Sequence, residues 1–219
     1  MKINICNDNK IFPFLYVDDR YTPEEEKLIW KELDFYTNPY AMMRSEDDPN
    51  TGVFEDGNSK SRGWRIHVNE MYSGLIRDKD GKEYPLSHIL RFQPQFTMWP
   101  EELEKVINEI SPNFRMLDMT NSGKTMINYS ETDDYYESHN DNCMISTLCW
   151  FHRKPKAYTG GDITFTDTDT TLECKHNRMV MFPGYYNHQA HPTKMKKENL
   201  EMGWGRYSIV NFYSSHLGL

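Results

Sequence analysis

The sequence predicts an α+β fold, mainly β, in which helices in the first half support an antiparallel β sandwich or barrel in the second. Three observations predict it. The hydrophobic period changes from 3.6 to 2 near Met126. Beyond that point, short strand-like runs are separated by Gly and Pro (Gly160-Gly161, Pro183-Gly184). No alternation of strand and helix suggests a parallel sheet.

In chain order, Thr22-Pro23-Glu24-Glu25 opens the first helix as a capping box, with Thr at N-cap, Pro at the first helical position and Glu at the third. Ile29, Leu33 and Tyr36 follow at i, i+4 and i+7, and Pro39 stops the helix. A second helix begins at Pro100, with Leu103, Val106, Ile107 and Ile110 on one face and Pro112 as terminator. The intervening segment Arg44–Gly63 is polar and rich in turn residues, and reads as a solvated loop in preference to an ordered substrate lid. Further on, Cys143, Ile145, Thr147 and Cys149 share one strand face while Met144, Leu148 and Trp150 share the other, so both faces are covered. Strands follow at Asp162–Phe165, Met179–Phe182 and Tyr207–Tyr213. The run 166–171 (TDTDTT) lacks the glycine and final glutamate of a calcium loop and reads as a polar hairpin.

Composition excludes several classes. Leu, Ile, Val and Phe are scarce, but 11 Phe, 5 Trp, 14 Tyr and 13 Met supply core volume, so disorder is rejected. No apolar run approaches a membrane span, and the first residues lack the apolar stretch of a secretory signal. Cys6, Cys143, Cys149 and Cys174 form no CxxC pair, which points to reduced thiols and a cytoplasmic chain. The net charge of −8 argues against a dedicated nucleic-acid binder.

Chemistry is concentrated at His139-Asn140-Asp141. On an extended segment, residues two apart point to the same side, so an imidazole and a carboxylate reach a common point. A distant histidine would complete a 2-His-1-carboxylate triad with open positions on Fe(II). The pair alone is a weak signal in a chain with eight histidines. Its surroundings are more restrictive: Tyr129 and Tyr136 before it, then Gly160-Gly161-Asp162-Ile163-Thr164-Phe165, Met181-Phe182-Pro183, His188-Gln189-Ala190-His191-Pro192 and Gly205-Arg206-Tyr207-Ser208.

This series resembles the prolyl-hydroxylase branch of the 2-oxoglutarate- and Fe(II)-dependent dioxygenases over roughly residues 127–213, with 14–32 similar to that family's entry strand and first helix. The resemblance implies a double-stranded β-helix (jelly-roll) core and a single domain over 1–219, with 1–120 as helical and strand support and 121–219 as the metal-binding core. It implies His139, Asp141 and His188 as iron ligands, and Arg206 pairing with the far carboxylate of 2-oxoglutarate. Ser208, on the strand face of Arg206, would add a hydrogen bond, and Tyr129 would line the cosubstrate pocket. His188 is preferred to His191 because the family's distal histidine is followed, three positions on, by a variable residue and then proline. Arg206 stands eighteen residues after His188 where the family places its basic residue nine or ten after, leaving 194–202 as a charged insertion. Trp150 and Phe151 offer no hydroxyl where the family often has a cosubstrate-binding tyrosine.

The resemblance therefore implies an enzyme that hydroxylates an aliphatic C–H, most directly of a peptidyl proline. Fe(II), 2-oxoglutarate and O₂ would be used, ascorbate would be an accessory, and succinate and CO₂ would be released. Tyr135, Tyr136, Tyr185 and Tyr186 are candidates to pack on a proline ring, or to belong to the core. The expected partner is a peptide or protein substrate, with neither membrane nor nucleic acid. Two other readings stay open: a dioxygenase acting on a free amino acid or nucleic-acid base, and a non-catalytic jelly-roll binding module with a vestigial metal site.

Overall fold

The computed structural model describes residues 1–6, 11–36, 41–71, 74–77, 79–93 and 99–216. The first strands, β1 (Lys2–Cys6) and β2 (Phe14–Asp18), pair antiparallel and lead into helix α1 (Pro23–Tyr36). The capping box forms: the Glu25 N–H donates to Thr22 Oγ1 (3.3 Å), and the Thr22 N–H donates to a Glu25 carboxylate oxygen (2.8 Å). Ile29, Leu33 and Tyr36 are fully buried, while Pro39 lies outside the described residues.

Segment 44–63 is part solvated loop, as expected, with residues 53–58 exposed, but its ends are ordered. After β3 (Met43–Arg44) comes a 3₁₀ turn at Ser45–Asp47, then β4 (Ser61–Arg62) and β5 (Trp64–His67). Its polar side chains are used internally. The Thr51 hydroxyl donates to Ser45 O (2.6 Å), and the Gly52 N–H donates to the Tyr136 hydroxyl (3.1 Å). Turn-rich composition identified where the chain bends but not what its polar groups meet.

Helix α2 (Val68–Met71), the hairpin β6 (Leu75–Arg77) and β7 (Glu83–Pro85), α3 (His88–Phe92) and α4 (Glu101–Ile110) complete the supporting half. Strands β8 (Ser122–Ser130), β9 (Tyr135–His139), β10 (Ile145–Phe151), β11 (Tyr158–Gly160), β12 (Ile163–Phe165), β13 (Thr170–Leu172), β14 (Met179–Pro183), β15 (His188–Ala190), β16 (Thr193–Met195) and β17 (Arg206–Ser214) follow. They form an eight-stranded sheet, β1-β2-β14-β10-β17-β8-β5-β3, and a five-stranded sheet, β13-β12-β15-β9-β4. The strands pair antiparallel throughout, and the run 166–171 closes the β12–β13 hairpin as its composition suggests.

Alternation divides the large sheet between two cores. On its helix side, Leu15, Val17, Ile127, Cys149, Met181, Tyr207 and Ile209 pack with Ile29, Leu33, Leu103 and Ile107. On the other side, Trp150, Val180 and Phe182 meet Phe14, Ile163 and Phe165 in the space between the sheets. Burying both faces explains the nearly continuous apolar runs of β10 and β14. No helix among the described residues is long and apolar enough to cross a membrane.

Candidate metal centre

Strands β9 and β15 are neighbours, and the register pair His139↔His188 sets two imidazoles side by side, with ring centroids 4.3 Å apart. Asp141 lies just beyond β9, in a turn fixed by its own N–H donating to Gly184 O (2.8 Å). The carboxylate therefore reaches the imidazoles through a turn and not through strand alternation. One donor atom from each of the three lies within 4.8 Å of the others. Asp141 Oδ1 is 3.6 Å from His139 Nε2, and Oδ2 is 3.8 Å from His188 Nε2.

The surroundings prepare these groups for a cation. His139 Nδ1 is 2.8 Å from Glu137 O, and His188 Nδ1 is 3.0 Å from Tyr186 O. A carbonyl only accepts, so each Nδ1 donates its proton there and each Nε2 faces Asp141, where a bound cation can take the place of a proton. Burial holds His188 below the usual histidine range, which favours the neutral form a metal needs. For Asp141, burial pushes upward, but the two imidazoles and a donated hydrogen bond from the Ser146 hydroxyl outweigh it. The carboxyl stays below its ordinary range and anionic. Tyr136 stacks on His139 (3.6 Å between centroids) and Phe182 meets His188 edge-on, so ring packing fixes both imidazoles. His191 is turned elsewhere, its Nε2 2.7 Å from Thr164 Oγ1.

Arg206 opens β17 and is 5% exposed. Its guanidinium donates to Gly161 O (2.5 Å) and to Ser130 Oγ (3.1 Å), while Nε has no partner. Among the described residues no carboxylate pairs with it. A buried guanidinium without a counter-ion is costly, and a ligand carboxylate would supply what is missing. The pairs Trp150↔Ser208 and Ser146↔Phe212 place Arg206 and Ser208 on the same inner face of the large sheet as Ser146, the residue that holds Asp141. Gly161 makes room for the arginine: at φ +84°, a Cβ there would lie 3.1 Å from Arg206 Cδ and 2.9 Å from Thr193 Cγ2. The residues present thus fit both an Fe(II) ion and a dicarboxylate.

Tyr129 does not join this face. It pairs in register with Tyr207, packs against that ring on the helix side (4.7 Å), and its hydroxyl donates to Glu131 while accepting from the Gly205 N–H. Ser130, one residue on, occupies the inner face instead. Of the other tyrosines, Tyr186 is core, Tyr136 covers His139 and Tyr185 is exposed. Motif spacing also did not reveal Asp48, Arg65 and His67. They line a pocket of about 520 Å³ that opens on His139 and Asp141, with Asp48 Oδ2 3.1 Å from Arg65 Nη1 and 3.0 Å from His67 Nε2. Burial pushes the Asp48 carboxyl up, but hydrogen bonds from Asn50, His67 and Arg65 bring it down to about 2.

Residues 125–214, which carry His139, Asp141, His188 and Arg206, match the family described as the 2OG-Fe(II) oxygenase superfamily. The chain is thus similar to that superfamily over the stretch that carries the candidate site. The fold agrees. A Pseudomonas putida prolyl-4-hydroxylase superposes with a TM-score of 0.52 at 10% identity, covering 96% of this chain and 97% of that one. A prolyl hydroxylase from Trichoplax adhaerens, in complex with a hypoxia inducible factor peptide fragment, gives 0.53 at 12% identity, covering 92% and 83%. No curated protein matches the sequence. The oxygenase core is thus a jelly roll of the prolyl-hydroxylase kind, assembled here on the eight- and five-stranded sheets.

Proposed function

We propose that this oxygenase hydroxylates an aliphatic C–H of a peptidyl prolyl residue, consuming 2-oxoglutarate and O₂ and releasing succinate and CO₂. His139, Asp141 and His188 would hold Fe(II), with one carboxylate charge and two neutral imidazoles. When bound, Fe(II) supplies O₂ activation coupled to decarboxylation of 2-oxoglutarate. The chain's own part is positioning. Arg206 binds the far carboxylate, Ser208 adds a hydroxyl on the same face, and Ser130 and Gly161 O orient the guanidinium. The Ser146 hydroxyl orients Asp141, and the carbonyls of Glu137 and Tyr186 keep each Nδ1 protonated.

The observation that carries this reading is the counter-ion-free Arg206 on the same inner face as the residue holding Asp141. The prolyl acceptor rests on the fold shared with the peptide-bound Trichoplax enzyme. The polar pocket beside His139 and Asp141, walled by Asn50, His67, Glu70, Asn140 and Asn142, favours a second acceptor class, a free amino acid. We read the chain as one domain, with 1–120 supporting and 121–219 carrying the centre. The thiols of Cys143, Cys149 and Cys174, none in a disulfide, suit a reducing compartment such as the cytoplasm.

The test is succinate release from 2-oxoglutarate with Fe(II) and ascorbate, against panels of proline-containing peptides and free amino acids. Turnover above a His139→Ala/Asp141→Ala control, stimulated by one panel, is expected and identifies the acceptor class. Wild type equal to that control across both panels overturns catalysis and leaves the binding-module reading.

A further inference from the structure

The segment that separates His188 from Arg206 builds a second concave site. Strand β16 pairs with β11, Thr159 opposite Lys194, in a two-stranded ladder outside both large sheets. A 3₁₀ turn at Lys197–Asn199 then leads back to Trp204. Together these elements border an open, shallow groove of about 610 Å³ that shares no residue with the pocket at His139 and Asp141.

Its chemistry differs from that of the rest of the molecule. Lys156, Lys194 and Lys196 line the groove against one carboxylate, Glu198, in a chain whose net charge is −8. Lys196 and Glu198 meet only at 3.8 Å with both side chains mostly exposed, too loose to cancel the lysine. Among the described residues, Lys156 and Lys194 have no ion-pair partner. Lys156 is held in place, donating to Cys174 O (3.3 Å) with its ammonium 4.7 Å from the Tyr158 ring centroid. Half-buried Trp204 adds a flat apolar wall, giving the stems of an extended chain something to pack on.

We propose that this groove is a docking site for an acidic, extended segment of a protein partner. Like-signed charges converging on one concavity focus the field there and attract the opposite charge over roughly a Debye length. The groove's volume suits several side chains rather than a single inorganic ion. The acidic remainder of the surface opposes the long polyanionic backbone of a nucleic acid, which selects a carboxylate-bearing polypeptide. The assignment is independent of the reading of the metal centre.

Fluorescence anisotropy with a labelled hexaglutamate peptide and the full chain tests it. Binding is expected at low salt and weakens severalfold between about 50 and 300 mM NaCl. It should fall at least about tenfold in K194E/K196E and stay within about twofold of wild type in K194R/K196R. Hexaglutamine should not bind. If K194E/K196E loses its circular-dichroism melt, K194Q/K196Q replaces it, with the same expected loss. Equal binding of hexaglutamine, unchanged binding in the charge variants, or no hexaglutamate binding overturns the proposal. So does tighter binding of a single-stranded oligonucleotide through the same lysines.

Discussion

Arg206 and His188 show how much a single residue's surroundings decide. Both imidazoles of the His188-Gln189-Ala190-His191 run were visible in the sequence, where the motif prefers His188, and the pairing gives each a different neighbour: His188 faces His139 across the β9–β15 ladder, and His191 is turned to Thr164. His188→Ala should therefore abolish Fe(II)-dependent binding of 2-oxoglutarate, followed by the visible charge-transfer band of the ternary complex. His191→Ala should retain it, and the reverse pattern would exchange the two roles. At Arg206, two donors already bond protein oxygens and Nε is free. Hydrogen bonds to charged groups contribute about 1.5–3 kcal/mol. Arg206→Gln should thus raise the KM for 2-oxoglutarate about tenfold to a hundredfold, with partial rescue by Arg206→Lys, which keeps the charge but not the fork. Tyr129 marks where residue-level reading stopped. Its ten-residue spacing to His139 resembles the family's, but spacing does not say which side of β8 a side chain occupies. Register with Tyr207 puts it on the helix side and hands the inner position to Ser130.

Among elements, the two longest helices were the most legible, because their signals are local. The Thr22/Glu25 box and the Ile29, Leu33, Tyr36 stripe describe α1 without reference to any partner. Thr22→Ala should cost about 1 kcal/mol, lowering Tm by about 2–4 °C without changing the KM for 2-oxoglutarate. Strands β3 and β4, two residues each, carry no detectable periodicity and exist only because β5 and β9 pair with them. That is why Arg44–Gly63 read as solvent-facing although it places Asp48 and Gly52 beside Tyr136 and the proposed metal ligands. The turn between β11 and β12 joins the two scales. Gly161 holds φ +84° beneath Arg206, so Gly161→Ala should both destabilise, by about 1–2 kcal/mol for the left-handed backbone, and displace the guanidinium. A rise in the KM for 2-oxoglutarate together with a lower Tm is expected. A lower Tm with unchanged KM would show that the arginine is not seated by this glycine.

At the scale of the molecule, the mainly β class with helical support followed from the change of period. The strand order did not, because long-range pairings leave no local trace. Strand β2, from the first twenty residues, lies between β1 and β14, and β5 extends the same sheet beyond β8. Two buried carboxylates reinforce these unions. Asp18, on β2, accepts from Arg178 beside β14 at 2.6 and 3.1 Å, and Asp48 accepts from Arg65 and His67 of β5. The Arg178 hydrogen bonds hold the Asp18 carboxyl below its ordinary range, and Asp48 titrates at about 2. Both folded-state values lie below the unfolded value of about 3.9, so the unfolded chain binds more protons in between, and stability must rise with pH across that window. Their contribution is fully present above about pH 4 and is lost as pH falls through the folded-state values. Urea unfolding between pH 5 and 2 should show a steep acid limb that is flatter in Asp18→Asn, where the ion pair is absent at every pH. At neutral pH the variant should be the less stable protein. As the acid removes the same charge from wild type, the two curves should converge toward pH 2. Parallel curves would mean that the Asp18–Arg178 pair does not couple β2 to the sheet electrostatically.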